Sequence, residues 1–221
     1  MDYLESVDVF RDLSAGEVES IGHKTTLMTY QAGHLFYMPD DPGEALFILK
    51  QGRVQLYRMS ADGRKFVLAV LHPGAVFGHM ALVGQRLHNT FAEALDDCVI
   101  CVWSREEVRH LLMEKPQVAL RFLEVMSERL FLAEERLEEI AFKRIPARVA
   151  SLLIHLDDEH GGSGRLTGYT HQYLADMLGT YRETVTQTLN EFKSEQLIRI
   201  GRKSIEILDV PGLQIVAELG A

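Results

Sequence analysis

Cysteine is nearly absent: the 221 residues hold only Cys98 and Cys101, in the run DDCVICVW. Residues three apart in a strand point to opposite faces, so this C-x-x-C cannot clamp a metal or close a strain-free disulfide without leaving the strand. Two small buried thiols are the expectation. No run of 18 apolar residues occurs, and the opening MDYLESVDVFRDL is acidic rather than cationic. Neither a membrane span nor a secretory signal is supported, and the expected location is the cytoplasm. Positive charge is also short: the formal net charge of −9 argues against non-specific adhesion to nucleic acid, though it does not forbid a local basic face. The nine histidines show no H-x-H pair with a following glutamate. His34, His72, His79 and His88 are scattered, so a metal-dependent cupin enzyme is not indicated, and no metal site is expected.

What the chain does hold is ample apolar content, 47%, enough for one large domain or two small ones. Glycines at Gly33, Gly43, Gly52, Gly63 and Gly74 separate short apolar runs, LFILK, VQLYRM and FVLAVL. Turn signals at that spacing predict a small antiparallel barrel or jelly roll, with SADGR (Ser60 to Arg64) as its clearest hairpin. Residues before Gly33 read as a short helical lead-in, and this domain is expected to span 1–115.

After Pro116 the period changes. Ala119, Leu123, Met126, Leu130, Ala133, Leu137 and Ile140 alternate by four and three, an a/d seam, with Phe122, Val125 and Leu132 as a second stripe beside it. One stripe can pack on the barrel while the other meets a partner helix, which predicts a parallel homodimer built on residues 116–142. The seam expected to join the two chains is Leu123, Met126, Leu130, Ala133, Leu137 and Ile140. Lys143-Arg144-Ile145-Pro146 reads as a hinge, 143–146, because proline disfavours helix at the preceding residue. A second domain, 147–221, follows, opening on the amphipathic ARVASLLIHLDDEH and the flexible turn Gly161 to Gly164.

Within that domain THQYLADMLGTYRETVTQTLNEFK has the anatomy of a helix-turn-helix. Leu174 and Leu178 bury one face of the first helix, Ala175 is small where a second helix crosses, and Gly179 allows the sharp turn. In the second helix Val185, Leu189 and Phe192 share one face, and Arg182, Glu183, Thr186 and Gln187 share the opposite one. Such a polar face at a helix N-terminus is where recognition helices meet base edges. Arginine can fork onto guanine O6 and N7, glutamate can accept from cytosine N4, and glutamine can address adenine. A capping box, Thr180-x-x-Glu183, is the structural alternative for Glu183. LIRIGRKSIEIL then gives two strands around a turn at Gly201 to Ser204, the wing of a winged helix. Between Arg165 and Ser204 six basic residues face four acidic ones, reversing the sign of the whole chain. Arg199, Arg202 and Lys203 suit phosphate contacts. The DNA-contacting set is expected to be Thr170, Tyr181, Arg182, Glu183, Thr186, Gln187, Arg202 and Lys203. The fold class is therefore α+β: an N-terminal antiparallel β-roll, jelly-roll-like, then a long coiled-coil dimerisation helix, then a C-terminal winged helix-turn-helix.

A β-roll, a coiled-coil helix and a winged helix with R-E-T-V opening its second helix resemble the CRP/FNR family of bacterial transcription regulators. PGAVFGHMAL, KRIPARVASLLIHL and LGTYRETVTQTL carry the resemblance, which covers essentially the whole chain. It implies a sequence-specific regulator, not an enzyme, that binds a DNA palindrome as a homodimer and works with RNA polymerase. Arg182 and Glu183 match the positions at which the family reads the G·C pairs of a TGTGA-like half-site, while a second family arginine is replaced by Gln187. The hairpin at Ser60 to Arg64 matches the family's flap, which lies near the dimer partner or polymerase. The effector pocket falls at Gly78, His79, Met80, Asn89, Thr90, Ala133 and Glu134. In cAMP-binding members, a glutamate that holds the ribose stands at the His79 position, and an arginine that neutralises the phosphate stands at the Asn89 position. A Thr-Ser pair contacting adenine stands at Ala133-Glu134. Loss of the arginine removes a charge-assisted, often bidentate bond, so cAMP is not the expected effector. The iron-sulphur branch uses an N-terminal cysteine cluster that this chain lacks. No cofactor is expected; the alternative is a haem-sensing member with His79 and Met80 as axial ligands, or a sensor of another small molecule. A cyclic-nucleotide-binding regulatory protein without DNA binding is the other alternative.

Overall fold

The structure, a computed structural model, describes residues 7–22, 26–39, 41, 45–79 and 90–219. The chain forms two compact units, Met1–Met59 with Val67–Leu130, and Ser60–Phe66 with Phe131–Ala221. This division falls inside the long helix. The reason is length: that helix, Pro116–Phe142, has 27 residues and extends about 40 Å, more than one small core can cover.

Among the described residues eight strands, β1 (Thr26–Tyr30), β2 (Leu35–Tyr37), β3 (Ala45–Gln51), β4 (Val54–Met59), β5 (Lys65–Leu71), β6 (Val76–His79), β7 (Phe91–Ala94) and β8 (Cys98–Ser104), form two four-stranded sheets, which apart from the start of β5 belong to the first unit. Their orders are β1-β8-β3-β6 and β2-β7-β4-β5. The strand β1 corrects the expected helical lead-in. Among the described residues only α1 (Ala15–Gly22) and a 3₁₀ turn at Asp8–Phe10 are helical there, while TLMTY pairs antiparallel along β8. β-branched and aromatic residues favour that pleated pairing over helix.

The run LFIL in β3 is apolar at every position because both faces of its sheet are covered. Phe47 and Leu49 face the second sheet with Phe77, Cys98 and Ile100. Leu46 and Ile48 face the other way with Cys101, Trp103 and Phe122. Cys98 and Cys101 thus sit in different cores, both buried and free, as strand alternation requires. Gly78 is explained by the same sheet. It pairs with Leu46, its φ is +142°, and a Cβ there would collide with the carbonyl oxygen of Ala45. Gly78→Ala is expected to destabilise the roll by about 1–3 kcal/mol, read as a lower urea midpoint at unchanged slope.

β8 ends in a capping box: the Ser104 hydroxyl accepts from the Glu107 amide and Glu107 accepts from the Ser104 amide, starting α2 (Arg105–Glu114). Then α3 (Pro116–Phe142) begins. Val118 and Phe122 are buried against the sheet, and Val125 packs beside them. Leu132, expected in that stripe, is instead exposed. The turn before α4 (Ile145–Glu159) is shorter than the expected hinge: only Lys143 and Arg144 are non-helical, and Pro146 lies in the first turn of α4. Proline is tolerated there because its missing N–H has no helical acceptor.

The second unit adds β9 (Arg165–Thr167), α5 (His171–Leu178), α6 (Arg182–Ser194), β10 (Ile198–Gly201), β11 (Ser204–Ile207) and α7 (Val210–Leu219). Its core takes Leu153 from α4, Leu174 from α5, Leu189 from α6 and Leu213 from α7, all fully buried. The wing is a three-stranded sheet, β10-β11-β9, rather than the expected pair of strands.

Candidate nucleic-acid interface

Local chemistry sets the two helices of the motif. Thr170 caps α5, its hydroxyl accepting from the Tyr173 amide at 3.1 Å, so this residue, expected at DNA, has a structural bond as well. Gly179 ends the helix at φ +65°, and the Thr180 amide reaches back to the Ala175 carbonyl at 3.0 Å. This left-handed stop is the reason glycine is needed between the helices. Two arginines that the sequence did not single out close the same helix end: Arg136 of α3 donates to the Met177 carbonyl and Arg148 of α4 to the Leu178 carbonyl. Cations at a helix C-terminus satisfy its last carbonyls and oppose its dipole. Burial lowers the pKa of both guanidiniums.

The N-cap of α6 is Tyr181, with no side-chain cap bond. Glu183 is then one position short of where a capping box needs it, so the alternative of a Thr180–Glu183 box does not hold. Arg182, Glu183 and Gln187 are exposed and Thr186 is half-buried, while Val185, Thr188, Leu189 and Phe192 are buried. An open groove runs along the outward face, lined by Arg182, Glu183, Thr186, Gln187, Asn190 and Ser194. Gln187 donates to Glu191 at 3.1 Å. Tyr181 stands exposed at the head of this face.

A second groove, lined among others by His171, Arg182, Lys203 and Ser204, separates the heads of α5 and α6 from the wing. Arg202 and Lys203 are exposed at the wing turn. Arg199 does not join them as an unpaired cation, since it bonds Glu206 across the β10–β11 pair at 2.7 Å. The expected charge excess is correspondingly smaller, because Glu206, just beyond Ser204, offsets Arg199. The His171 ring, beside Thr186, has its pKa lowered first by burial and then by Arg182.

Residues 27–115 match the cyclic nucleotide-binding domain and residues 147–215 the Crp-like helix-turn-helix domain. The chain is 30% identical over 209 residues to the cyclic AMP receptor protein of Thermus thermophilus, spanning 95% of this chain and 96% of that protein. It is 31% identical over 198 residues to the transcriptional regulator SdrP of the same organism, spanning 86% and 94%. It belongs to the CRP/FNR family of transcription regulators. A solved structure of that family from Thermus thermophilus, at 28% identity, superposes with a TM-score of 0.70 over 89% of this chain and all of that one. Family members regulate transcription rather than catalyse reactions, bind DNA and typically act as homodimers. Among the described residues no helix of this regulator is long and apolar enough to cross a membrane.

The regulator's roll holds part of the expected effector site. Gly78 is fixed by strand pairing, and Thr90 is fully buried at the entry to β7. His79 ends β6; Met80 and Asn89 lie outside the described residues, and with Met80 goes the proposed axial pair for haem. Ala133 and Glu134 are exposed on α3. Arg58 of β4 lies 3.5 Å from the Thr90 hydroxyl, and the half-buried Arg129 of α3 donates to the Val76 carbonyl. Arg129 was hidden in the sequence by its place one residue before the seam residue Leu130. Along the seam, Leu123, Leu130, Leu137 and Ile140 are exposed, as is Ala133, and Met126 is half-buried.

Proposed function

We propose that this regulator binds a DNA palindrome as a homodimer paired along α3, with one α6 helix in the major groove of each half-site, and that cAMP is not its effector. The observation that carries the reading is the division of α6. Four apolar-side positions are buried, while Arg182, Glu183, Thr186 and Gln187 present donors and acceptors outward, with Arg202 and Lys203 exposed at the wing. Base edges of the major groove take that set of side chains, and phosphates take the wing cations. Pairing along α3 is supported by its exposed apolar residues, which water disfavours unless a partner covers them. Two-fold symmetry in the protein then demands a two-fold site. The same dimer places its surface against RNA polymerase when it acts on a promoter.

Independence from cAMP is supported by His79 and Asn89 at the positions of the ribose and phosphate ligands, and by the engagement of Arg58 and Arg129 with protein acceptors. Fluorescence anisotropy on a TGTGA-containing palindrome at fixed salt tests both parts. Tight, salt-dependent binding that is the same with and without saturating cAMP is the expected result. A large gain on adding cAMP overturns the effector reading, and equal binding to scrambled DNA overturns the palindrome.

A further inference from the structure

Two threonines on α6 dispose of their hydroxyls in different ways. Thr188, 3% exposed, gives its hydroxyl hydrogen to the Thr184 carbonyl one turn back, at 3.1 Å, the usual resort of a threonine inside a helix. Thr186, on the outward face, has its hydroxyl oxygen 2.9 Å from Nδ1 of His171 instead. His171 is the first residue of α5, so the bond joins one helix of the motif to the reading face of the other. Both residues are half-buried, and the ring shares its groove with Arg182 and Lys203.

A hydroxyl has one hydrogen and two lone pairs, and a neutral imidazole has one donor and one acceptor nitrogen. When the ring proton is on Nε2, Nδ1 accepts the Thr186 hydrogen, and the threonine offers only lone pairs outward. That suits the exocyclic amines of adenine or cytosine in the major groove. When Nδ1 carries a proton it donates to the threonine, whose own hydrogen is released toward guanine O6, purine N7 or thymine O4. Burial, and then Arg182 beside it, lowers the pKa of the ring and so favours its neutral form.

We propose that His171 is a specificity-determining residue of the DNA-reading site, acting through Thr186: the ring orients the hydroxyl and decides whether a base meets it as donor or acceptor. This rests on the reading above that α6 lies in the major groove. His171 is a positioning residue in this scheme. Its removal changes which base is preferred, whereas loss of a merely structural residue weakens binding to every sequence alike.

The test is selection of half-sites from a randomised palindrome by the full-length protein and five variants, His171→Ala, His171→Asn, Thr186→Val, the His171→Ala/Thr186→Val pair, and Arg182→Ala. His171→Ala and Thr186→Val are each expected to relax the preference at one and the same half-site position about fivefold, the worth of one ordinary hydrogen bond. The double variant is expected to relax it no further, as coupled residues do. His171→Asn, whose amide can again bond the hydroxyl, is expected to keep a single preferred base there. A wild-type profile in His171→Ala, with Arg182→Ala relaxed at its own position, overturns this inference and leaves the groove reading standing. A wild-type protein that selects no half-site, or an unchanged profile in Arg182→Ala, overturns the groove reading and the inference with it.

Discussion

Replacing Glu183 by alanine is expected to cost on the order of 1–3 kcal/mol of base discrimination in each half-site while leaving the fold unchanged. The structure makes this substitution clean. Glu183 is exposed in the first turn of α6, the cap residue is Tyr181, and no side-chain cap bond depends on the carboxylate. Arg182 beside it is also exposed, and its replacement by alanine is expected to cost a similar amount, the worth of a bidentate guanine contact. Because a dimer reads two half-sites, the effect on a symmetric palindrome doubles, to about 2–6 kcal/mol. Titrations on palindromes carrying each base in turn at every half-site position measure it. Should Glu183→Ala bind every one of them as the parent does, α6 is not docked as assigned. A uniform loss across all sequences points instead to a phosphate contact.

Replacing Leu130 and Leu137 together by glutamate is expected to turn the dimer into a monomer at micromolar concentration. Each leucine is more than half exposed in the single chain, 60% and 65%, so neither contributes to a core within one chain. Paired along α3, each buried leucine is worth about 1.5–3 kcal/mol, and the two chains bring four. Four carboxylates facing one another in their place add like-charge repulsion in a desolvated seam. Sedimentation velocity reads the mass directly, and thermal melting of the C-terminal unit serves as the check that each chain still folds. DNA affinity is expected to fall by about 10²–10⁴, the advantage of linking two binding heads. A double variant that still sediments as a dimer places the interface elsewhere.

Periodicity was legible because it is local. The a/d seam of α3, the two-faced α6 and the Gly179 stop each depend on neighbours within a few residues, and the structure shows α3, α6 and a left-handed Gly179 there. The outward polar set of α6 followed from the same reasoning, since a helix of 3.6 residues per turn puts Arg182, Glu183, Thr186 and Gln187 together without any tertiary information. Where local rules competed, they erred. TLMTY reads locally as part of a helical lead-in because its partner, β8, lies some seventy residues along the chain. The Thr180–Glu183 box failed by one residue, the usual uncertainty of a helix end.

The sequence alone therefore determined most of the elements, their order, the family and the outward polar face of α6, because each is written in short-range spacing. The tertiary structure decided which side chains those elements bring together over long distances. It took Arg199 out of the basic face by setting Glu206 opposite, gave Gly78 its reason in the carbonyl of Ala45, and carried Arg129 to the Val76 carbonyl. It also joined His171 to Thr186, fifteen residues apart. Strand register and helix crossing fix such meetings, and neither is a property of any single segment.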